Sequence, residues 1–162
     1  MKKLSKELIV SGALALSALM TNPAIAEGQV YEKIQSYMSC TSGEDSYIFT
    51  DDEIDLIALV TMAEAEGESE YGKRLVIDTI INRVKSDEFP DTVHDVIYQP
   101  YHFESMWNGR VDVCYVDEDI CDLVREEIAI TTDEYAIFFC AGEYSQYGTP
   151  MYQVGNHYFS TY

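Results

Sequence analysis

Residues 50–84, TDDEIDLIALVTMAEAEGESEYGKRLVIDTIINRV, contain two helical hydrophobic patterns separated by a short polar break. Thr50 stands three residues before Glu53, which is the spacing of a capping box, so we expect the first helix to begin there. Gly67 offers a C′ residue just past the end of this helix. The second helix is expected over residues 70–85. It is apolar over most of its circumference, which predicts that it is buried.

Residues 63–72, AEAEGESEYG, carry four glutamates, of which one falls on the apolar face of the first helix. Glu64 comes seven residues after Ile57 and three after Thr61, so its side chain is expected to face the core. Burial penalises the ionised form of a carboxyl group, which can then hold a proton near neutral pH and deliver it to a leaving oxygen. The spacing alone favours a simpler alternative, a structural glutamate bonded to the backbone or paired with Arg83.

The remainder of the chain indicates two further helices followed by strands. A short helix is expected between Pro90 and Pro100, and an amphipathic helix over residues 117–130. Strands are expected in YAIFFCA, residues 135–141, and in MYQVGNHYFST, residues 151–161, with turn residues between them. Helices first and a small antiparallel pair last predict an α+β fold, mainly helical, with a small antiparallel sheet near the C-terminus.

The N-terminus has the pattern of a secretory signal peptide. Lysines precede an apolar run from Leu8 to Met20, and residues 24–26, AIA, form a cleavage site. The run is shorter than the roughly 20 residues of a membrane-spanning helix, so a membrane anchor is the weaker alternative. We expect residues 1–26 to be a signal peptide, residues 27–49 a lead-in segment, and residues 50–162 one folded domain that keeps no membrane span after cleavage.

The charge of the chain limits its partners. It has 29 acidic and 10 basic residues, a formal net charge of −19. Nucleic acids are bound by neutralising phosphates with Lys and Arg, so this charge argues against a nucleic-acid partner and equally against an anionic membrane surface. Solubility outside the cell is the simplest meaning of the charge.

Four cysteines lie beyond the expected cleavage site: Cys40, Cys114, Cys121 and Cys140. An even count in an exported chain predicts disulfides, and three connectivities are possible. Pairing Cys114 with Cys121 is the most local of them and leaves Cys40 with Cys140. Buried free thiols are one alternative. A zinc site is another, but C-x-x-C spacing is absent and three scattered histidines are present, so neither a metal nor a cofactor is expected.

The order of motifs over residues 52–160 resembles the SleB/CwlJ-type cell wall hydrolases. The family pattern reads G-E-A-R-G-E, then I-L-N-R-V, F-P, V-I-Y-Q-P and F, and finally A-L-Y-F and I-G-N-H-x-F-Y. The matching segments here are, in order, Glu64-Ala65, Gly67-Glu68, Ile81-Asn82-Arg83-Val84, Phe89-Pro90, Val96-Ile97-Tyr98-Gln99-Pro100, Phe103, Ala136-Ile137-Phe138-Phe139 and Val154-Gly155-Asn156-His157-Tyr158-Phe159. Ala63 and Glu66 differ from the family's usual Gly and Arg, and the loop YHFESMWNG at residues 101–109 departs from its common Q-F-S.

This resemblance implies a lysozyme-like, lytic transglycosylase-like catalytic domain that cleaves the MurNAc–GlcNAc backbone of peptidoglycan. It also implies that Glu64 is the catalytic acid, the residue that helical spacing places against the core. A transglycosylase needs only that carboxylate, whereas a hydrolase needs a second one, for which Glu68 and Glu104 are the candidates. The expected partner is a peptidoglycan glycan strand, bound by a monomer that is secreted or associated with the cell wall.

The residues expected to bind substrate are Glu68, Asn82, Arg83, Tyr98, Phe103, Trp107, Asn156 and His157. Asn82 and Arg83 can orient Glu64 or bind N-acetyl groups. Trp107, in a polar loop, is the better candidate for stacking on a sugar ring, since Tyr98 is expected to pack in the core. Asn156 and His157 belong to the G-N-H motif, for which a strand bulge with a structural histidine is the alternative.

Other functions remain open on the sequence alone. A hydrolytic muramidase or glucosaminidase would act on the same glycan strand with a second carboxylate. A zinc amidase or peptidase acting on the peptide stem requires a ligand set that the histidines do not supply at a recognisable spacing. A non-catalytic wall-binding module would keep the fold without the activity.

Overall fold

The computed structural model describes residues 47–162, in which the predicted α+β fold is present. Within them the helices are α1 (Asp51–Ala65), α2 (Glu70–Val84), α3 (Val93–Ile97) and α4 (Glu118–Ala129), with 3₁₀ turns at Glu104–Met106 and Val111–Val113. The strands that follow are β1 (Phe138–Ala141), β2 (Thr149–Val154) and β3 (His157–Thr161), in one antiparallel sheet of order β1-β3-β2. The predicted signal peptide and most of the predicted lead-in segment lie outside the described residues.

The two central helices begin with side-chain caps. At the start of α1 the Thr50 hydroxyl accepts from Glu53 N at 3.3 Å, and Glu53 Oε2 accepts from Thr50 N at 2.9 Å, so the predicted capping box is confirmed. At the start of α2 the Ser69 hydroxyl accepts from Gly72 N at 3.2 Å. The segment between Ala65 and Glu70 is short, so the end of α1 lies near the start of α2.

The helices pack into one hydrophobic core, with a smaller cluster joining them to the sheet. Ile57 of α1 and Ile77 and Ile80 of α2 are fully buried at its centre. The prediction that α2 is buried is confirmed, because most of its residues are inaccessible to solvent. None of the helices in residues 47–162 has the length and hydropathy that a membrane span requires.

The strand expected over residues 151–161 is in fact a hairpin. Val154 pairs with His157, so Gly155 and Asn156 form a two-residue turn between β2 and β3. Gly155 has a φ of +58°. A glycine at the first position of a two-residue turn matches the type II′ hairpin. The single-strand prediction was wrong because it extended the alternation of large side chains through this turn.

The disulfide expected between Cys114 and Cys121 is absent from the structure, in which both are free thiols, as is Cys140. The Cys114 thiol donates to Arg110 O at 3.3 Å, on its own loop. The Cys121 thiol is buried and donates to Asp55 Oδ1 of α1 at 3.7 Å, and burial raises its pKa to about 11. The two side chains therefore face different partners. Cys40, the expected partner of Cys140, lies outside the described residues.

A buried carboxyl pair joins α2 to α4. Asp78 is fully buried, and its Oδ2 accepts from Asp133 N at 2.8 Å. Burial raises the pKa of Asp78 to about 8, and the neighbouring Glu127 adds to that rise against the hydrogen bond from Asp133. Burial acts on Glu127 in the same direction, but hydrogen bonds from Arg74 and Thr132 outweigh it and hold its pKa below the ordinary value. One proton is therefore retained by the pair, on Asp78.

We expect the free energy of unfolding to fall as the pH rises towards 8, and Asp78→Asn to remove much of that fall. Unfolded Asp78 loses its proton near pH ~4, whereas folded Asp78 keeps it up to a pKa of about 8. The stabilising contribution is therefore complete below pH ~4 and is lost as the pH rises through the folded pKa. Asparagine keeps the shape and the acceptor for Asp133 without titrating.

Urea denaturation of both proteins at several pH values between about 5 and 9 measures the difference. Glu134→Gln removes an exposed carboxylate from the loop before β1 and serves as the control. Its free energy of unfolding should change with pH as that of the wild type does. If the free energy of unfolding of the Asp78→Asn protein also changed with pH as in the wild type, Asp78 would not be the group that holds the proton.

Candidate functional site

Glu64 lies at the C-terminal end of α1 and is half-buried. Its Oε1 accepts from Ser105 N at 3.3 Å, a contact that joins α1 to the 3₁₀ turn Glu104–Met106. Within the described residues Glu64 forms no ion pair, and Arg83 instead donates from Nε to Ile137 O at 2.8 Å. Because one long backbone hydrogen bond is the whole of this network, the carboxyl group remains able to bind a ligand.

Glu68 binds the turn between β2 and β3. Its Oε1 accepts from Asn156 N at 3.1 Å, across 88 residues of chain. Its Oε2 lies so close to Gly155 that a Cβ atom there would be 1.6 Å away. The segment just after α1 thus contacts the G-N-H motif, whose Gly155 and Asn156 form the turn and whose His157 begins β3.

His157 follows this turn and is 5% exposed. Its Nδ1 is buried and has no hydrogen-bond partner within the part of the chain described. Burial lowers the pKa of His157, while the charges of Glu68 and Glu64 act in the opposite direction. The imidazole is therefore neutral at neutral pH, and it is close enough to both carboxyl groups to respond to their charge.

Two clefts share Tyr101 in their linings. The first has a volume of about 530 Å³ and is lined by Pro100, Tyr101, Glu104 and Trp107. The second, of about 570 Å³, lies between Tyr101, β1 and the loop at residues 143–147. Both volumes fall in the range of small-molecule sites in proteins. Glu104 of the first cleft directly precedes Ser105, whose N–H binds the Glu64 carboxyl group.

Tyr101 has a left-handed backbone conformation, with a φ of +69°. His102 N donates to Gln99 O at 3.2 Å, which closes a turn with Pro100 at the second position and Tyr101 at the third. This is the pattern of a type II turn, whose third residue is usually glycine. Left-handed backbone costs other L-residues ~1–2 kcal/mol. Tyr101 is 98% exposed, so no side-chain packing offsets that cost.

Trp107 and Tyr98 form an aromatic pair at the first cleft. Trp107 is 59% exposed, and the edge-to-face distance between the two ring centres is 6.3 Å. Tyr98 is 39% exposed and stacks on His94 at 4.5 Å, so the expectation that it packs in the core was wrong. The exposed indole is the better placed of the two rings to meet a ligand, and Tyr98 supports it from one side.

Three of the expected binding residues are buried, and of these Arg83 lines the second cleft. Phe103 is 1% exposed, so its ring offers no face to a sugar. Asn82 uses its amide on the backbone, donating from Nδ2 to Asp133 O at 2.8 Å and to Ala136 O at 3.0 Å. Arg83 is 4% exposed, and its guanidinium lies 5.1 Å from the centre of the Phe103 ring. Burial lowers the pKa of Arg83 to about 10, which leaves it charged at neutral pH. These side chains hold the segment that enters β1.

The two candidates for a second carboxylate have different surroundings. Glu68 is bound to the hairpin turn through Asn156, whereas Glu104 is exposed and lines the first cleft. In residues 47–162, no three His, Cys, Asp or Glu side chains are grouped so that they could hold a metal ion.

Sequence reasoning missed two parts of this arrangement, the Ser105 N–H that binds Glu64 and the left-handed Tyr101. A backbone donor has no signal in the sequence. Pro100 does signal a turn, since proline favours the second position, but tyrosine gives no indication of a positive φ at the third.

The fold is that of two solved catalytic domains. The catalytic domain of the Bacillus cereus SleB protein matches with a TM-score of 0.63 and 24% sequence identity, over 74% of this chain and 99% of that domain. The catalytic domain of the germination-specific lytic transglycosylase SleB from Bacillus anthracis matches with a TM-score of 0.60 and 24% identity, over 70% and 97%. The protein therefore has the SleB catalytic-domain architecture that the resemblance implied.

Residues 67–160 match the Cell Wall Hydrolase family, and the chain belongs to that family. The spore cortex-lytic enzyme of Halalkalibacterium halodurans is 36% identical over 63 residues, which are 39% of this chain and 19% of that protein. Cell wall hydrolase CwlJ of Bacillus subtilis is 39% identical over 64 residues, 37% of this chain and 45% of that protein. The matched segments thus cover less than half of either relative. The family match begins at Gly67, so Glu64 lies three residues before it.

Proposed function

We propose that this protein is an exported peptidoglycan-degrading enzyme that cleaves the MurNAc–GlcNAc backbone as a lytic transglycosylase. The observation that carries the proposal is the half-buried Glu64 carboxyl group, bound by the backbone N–H of Ser105, which directly follows Glu104 of the aromatic first cleft. Membership of the Cell Wall Hydrolase family and the names of its relatives, which include a spore cortex-lytic enzyme, support peptidoglycan as the substrate.

In the proposed reaction Glu64 is first the acid and then the base. Its proton goes to the bridging oxygen as the bond from that oxygen to the muramoyl anomeric carbon breaks. The 6-hydroxyl of the same muramoyl residue then attacks that carbon, and ionised Glu64 takes the hydroxyl proton. The enzyme returns to its starting state with a 1,6-anhydro end on the product. The Ser105 N–H can stabilise the ionised carboxylate between the two steps.

The surroundings of Glu68 support a single-carboxylate mechanism. Glu68 is committed to Asn156 N and fills the space against Gly155, so its role is to position the hairpin and His157. In the proposed site, Trp107 and Tyr98 bind sugar rings, and Asn156 and His157 contact the substrate near Glu64. Asn82 and Arg83 hold the backbone before β1, and Phe103 is buried in the core.

Hydrolysis is the second candidate function, and one observation favours it. Glu104 is an exposed carboxylate on the first cleft, one residue from the N–H that binds Glu64. In a hydrolase, Glu104 would act as the nucleophile if it lies ~5–5.5 Å from Glu64 in the complex, or would activate water if it lies ~6.5–9.5 Å away.

As part of this proposal, the protein is a secreted or wall-associated monomer, made with a signal peptide at residues 1–26 and a catalytic domain over residues 50–162. Its substrate is a glycan strand of spore cortex or vegetative wall.

Digestion of isolated sacculi by the purified chain, followed by mass spectrometry of the soluble fragments, tests the proposal. We expect fragments in which the glycan is cut and the peptide stems remain joined to muramic acid. Sugar-free peptides would indicate an amidase or peptidase. Binding to sacculi without any released fragment would indicate a wall-binding module.

A further inference from the structure

Tyr101 is the common wall of the two clefts, and the established features of the fold give it no structural task. Its ring is exposed, and its backbone occupies a conformation that glycine would adopt without strain. We propose that Tyr101 is a specificity-determining residue, which stacks on a sugar ring where a glycan strand crosses from one cleft to the other. This inference rests on the proposed function and adds to it a preference for long strands.

The turn that carries Tyr101 is anchored on both sides. Pro100 fixes its own φ, and the hydrogen bond from His102 N to Gln99 O closes the turn. Beyond it, His102 Nδ1 lies 3.5 Å from Arg83 Nη1, and Phe103 is buried in the core. The ring is therefore presented from a fixed backbone, which lowers the entropy lost when a ligand is bound.

The linings of the clefts suit a neutral sugar polymer. Aromatic rings that can pack on sugar C–H faces occur in both, Trp107 in the first and Tyr144 and Tyr147 in the second. Glu104 in the first cleft and Glu143 in the second accept hydrogen bonds from hydroxyl or amide groups and repel anions. Two spaces of about 530 and 570 Å³ share Tyr101 in their linings, so an extended chain fits them better than one compact ligand does.

The test measures binding in the Glu64→Gln background, so that it does not depend on cleavage. The probes are oligosaccharides of N-acetylglucosamine, a neutral β-1,4-linked polymer that carries no lactyl carboxylate, one a disaccharide and one of about eight sugars. The variants are Tyr101→Gly, Tyr101→Phe, which keeps the ring, and Tyr115→Gly, which removes an exposed tyrosine from outside both clefts. Isothermal titration gives each Kd, and thermal unfolding gives each Tm.

We expect Tyr101→Gly to weaken binding of the long strand between about 2-fold and 12-fold, the range of one aromatic contact, and to leave the disaccharide within about 2-fold. Its Tm should be unchanged or higher, because glycine accepts the positive φ. Tyr101→Phe and Tyr115→Gly should bind the long strand as the parent does.

Three results would overturn the inference: a Tyr101→Gly protein with the parent's affinity for the long strand, a Tyr101→Phe protein as weak as Tyr101→Gly, or a lowered Tm with equal losses on both probes, which indicates a structural role. If the parent binds the long strand and the Tyr101 variants give one of these results, the role of Tyr101 is disproved and the proposed function stands. If the Glu64→Gln parent binds no strand and the wild-type protein cleaves none, the proposed function is disproved as well.

Discussion

Glu64→Gln should leave the protein folded and reduce glycan cleavage by ~10²–10⁴-fold, the usual contribution of a general acid. The amide matches the carboxyl group in shape and keeps the oxygen that accepts from Ser105 N, so the contact between α1 and the 3₁₀ turn survives. It has no proton to give to the leaving oxygen. The release of soluble fragments from sacculi measures the rate, and circular dichroism checks the fold.

Glu66→Gln is the matched control. Glu66 lies two residues further along, is exposed, and forms an ion pair with Arg110 at the surface. The same chemical change there should alter the rate by less than about twofold, since surface ion pairs contribute little. A Glu64→Gln protein with more than about one per cent of the wild-type rate would contradict the assignment of Glu64 as the acid.

Gly155→Ala should destabilise the fold by at least ~2 kcal/mol, for two separable reasons. The left-handed φ of +58° costs an alanine ~1–2 kcal/mol. The new Cβ would stand 1.6 Å from Glu68 Oε2, so the carboxylate must move and give up its bond to Asn156 N. A hydrogen bond to a charged group contributes ~1.5–3 kcal/mol. Thermal unfolding should show a fall in Tm of roughly 5–10 °C, and cleavage should fall too because His157 follows the turn.

Gly142→Ala separates the two causes. Gly142 has a φ of +82°, but a Cβ there would meet nothing within 4 Å, so its substitution reports the backbone cost alone. Combining Gly155→Ala with Glu68→Ala removes the clash, and the double variant should lose less stability than the sum of the single variants. If Gly155→Ala proved no more harmful than Gly142→Ala, the contact between Glu68 and the hairpin would have no energetic weight.

The parts of the fold that the sequence predicts are those with local causes. The capping box at Thr50 and the helical spacing of Ile57, Thr61 and Glu64 lie within one helix, and the structure places Glu64 half-buried as expected. The hairpin turn was missed because Gly155 and Asn156 read equally well as a bulge within one strand. The turn is bound by Glu68, which lies 88 residues before Asn156 in the chain. No local sequence pattern predicts a contact over that separation.

The other predictions that the structure corrects concern the directions of side chains, which the spacing of residues in the sequence does not determine. Cys114 and Cys121 are near in sequence, yet one thiol turns to its own loop and the other to α1. Asn82 and Phe103 stand in recognisable motifs, but the Asn82 amide binds the backbone before β1 and the Phe103 ring is buried. Tyr101 occupies a position where the turn type calls for glycine, and no rule of composition predicts a tyrosine there.

The chemical form of the new muramic acid end tests most directly whether Glu64 acts alone. With one carboxylate at the bond, the substrate's own 6-hydroxyl is the nucleophile, and its closeness to the anomeric carbon supplies much of the rate. Mass spectrometry of muropeptides released by the wild-type protein should therefore find 1,6-anhydro-muramic acid ends, lighter by one water than hydrolytic ends. Reducing-end muramic acid as the main product would contradict this mechanism and indicate a hydrolase, for which Glu104 and Glu68 are the candidate second carboxylates.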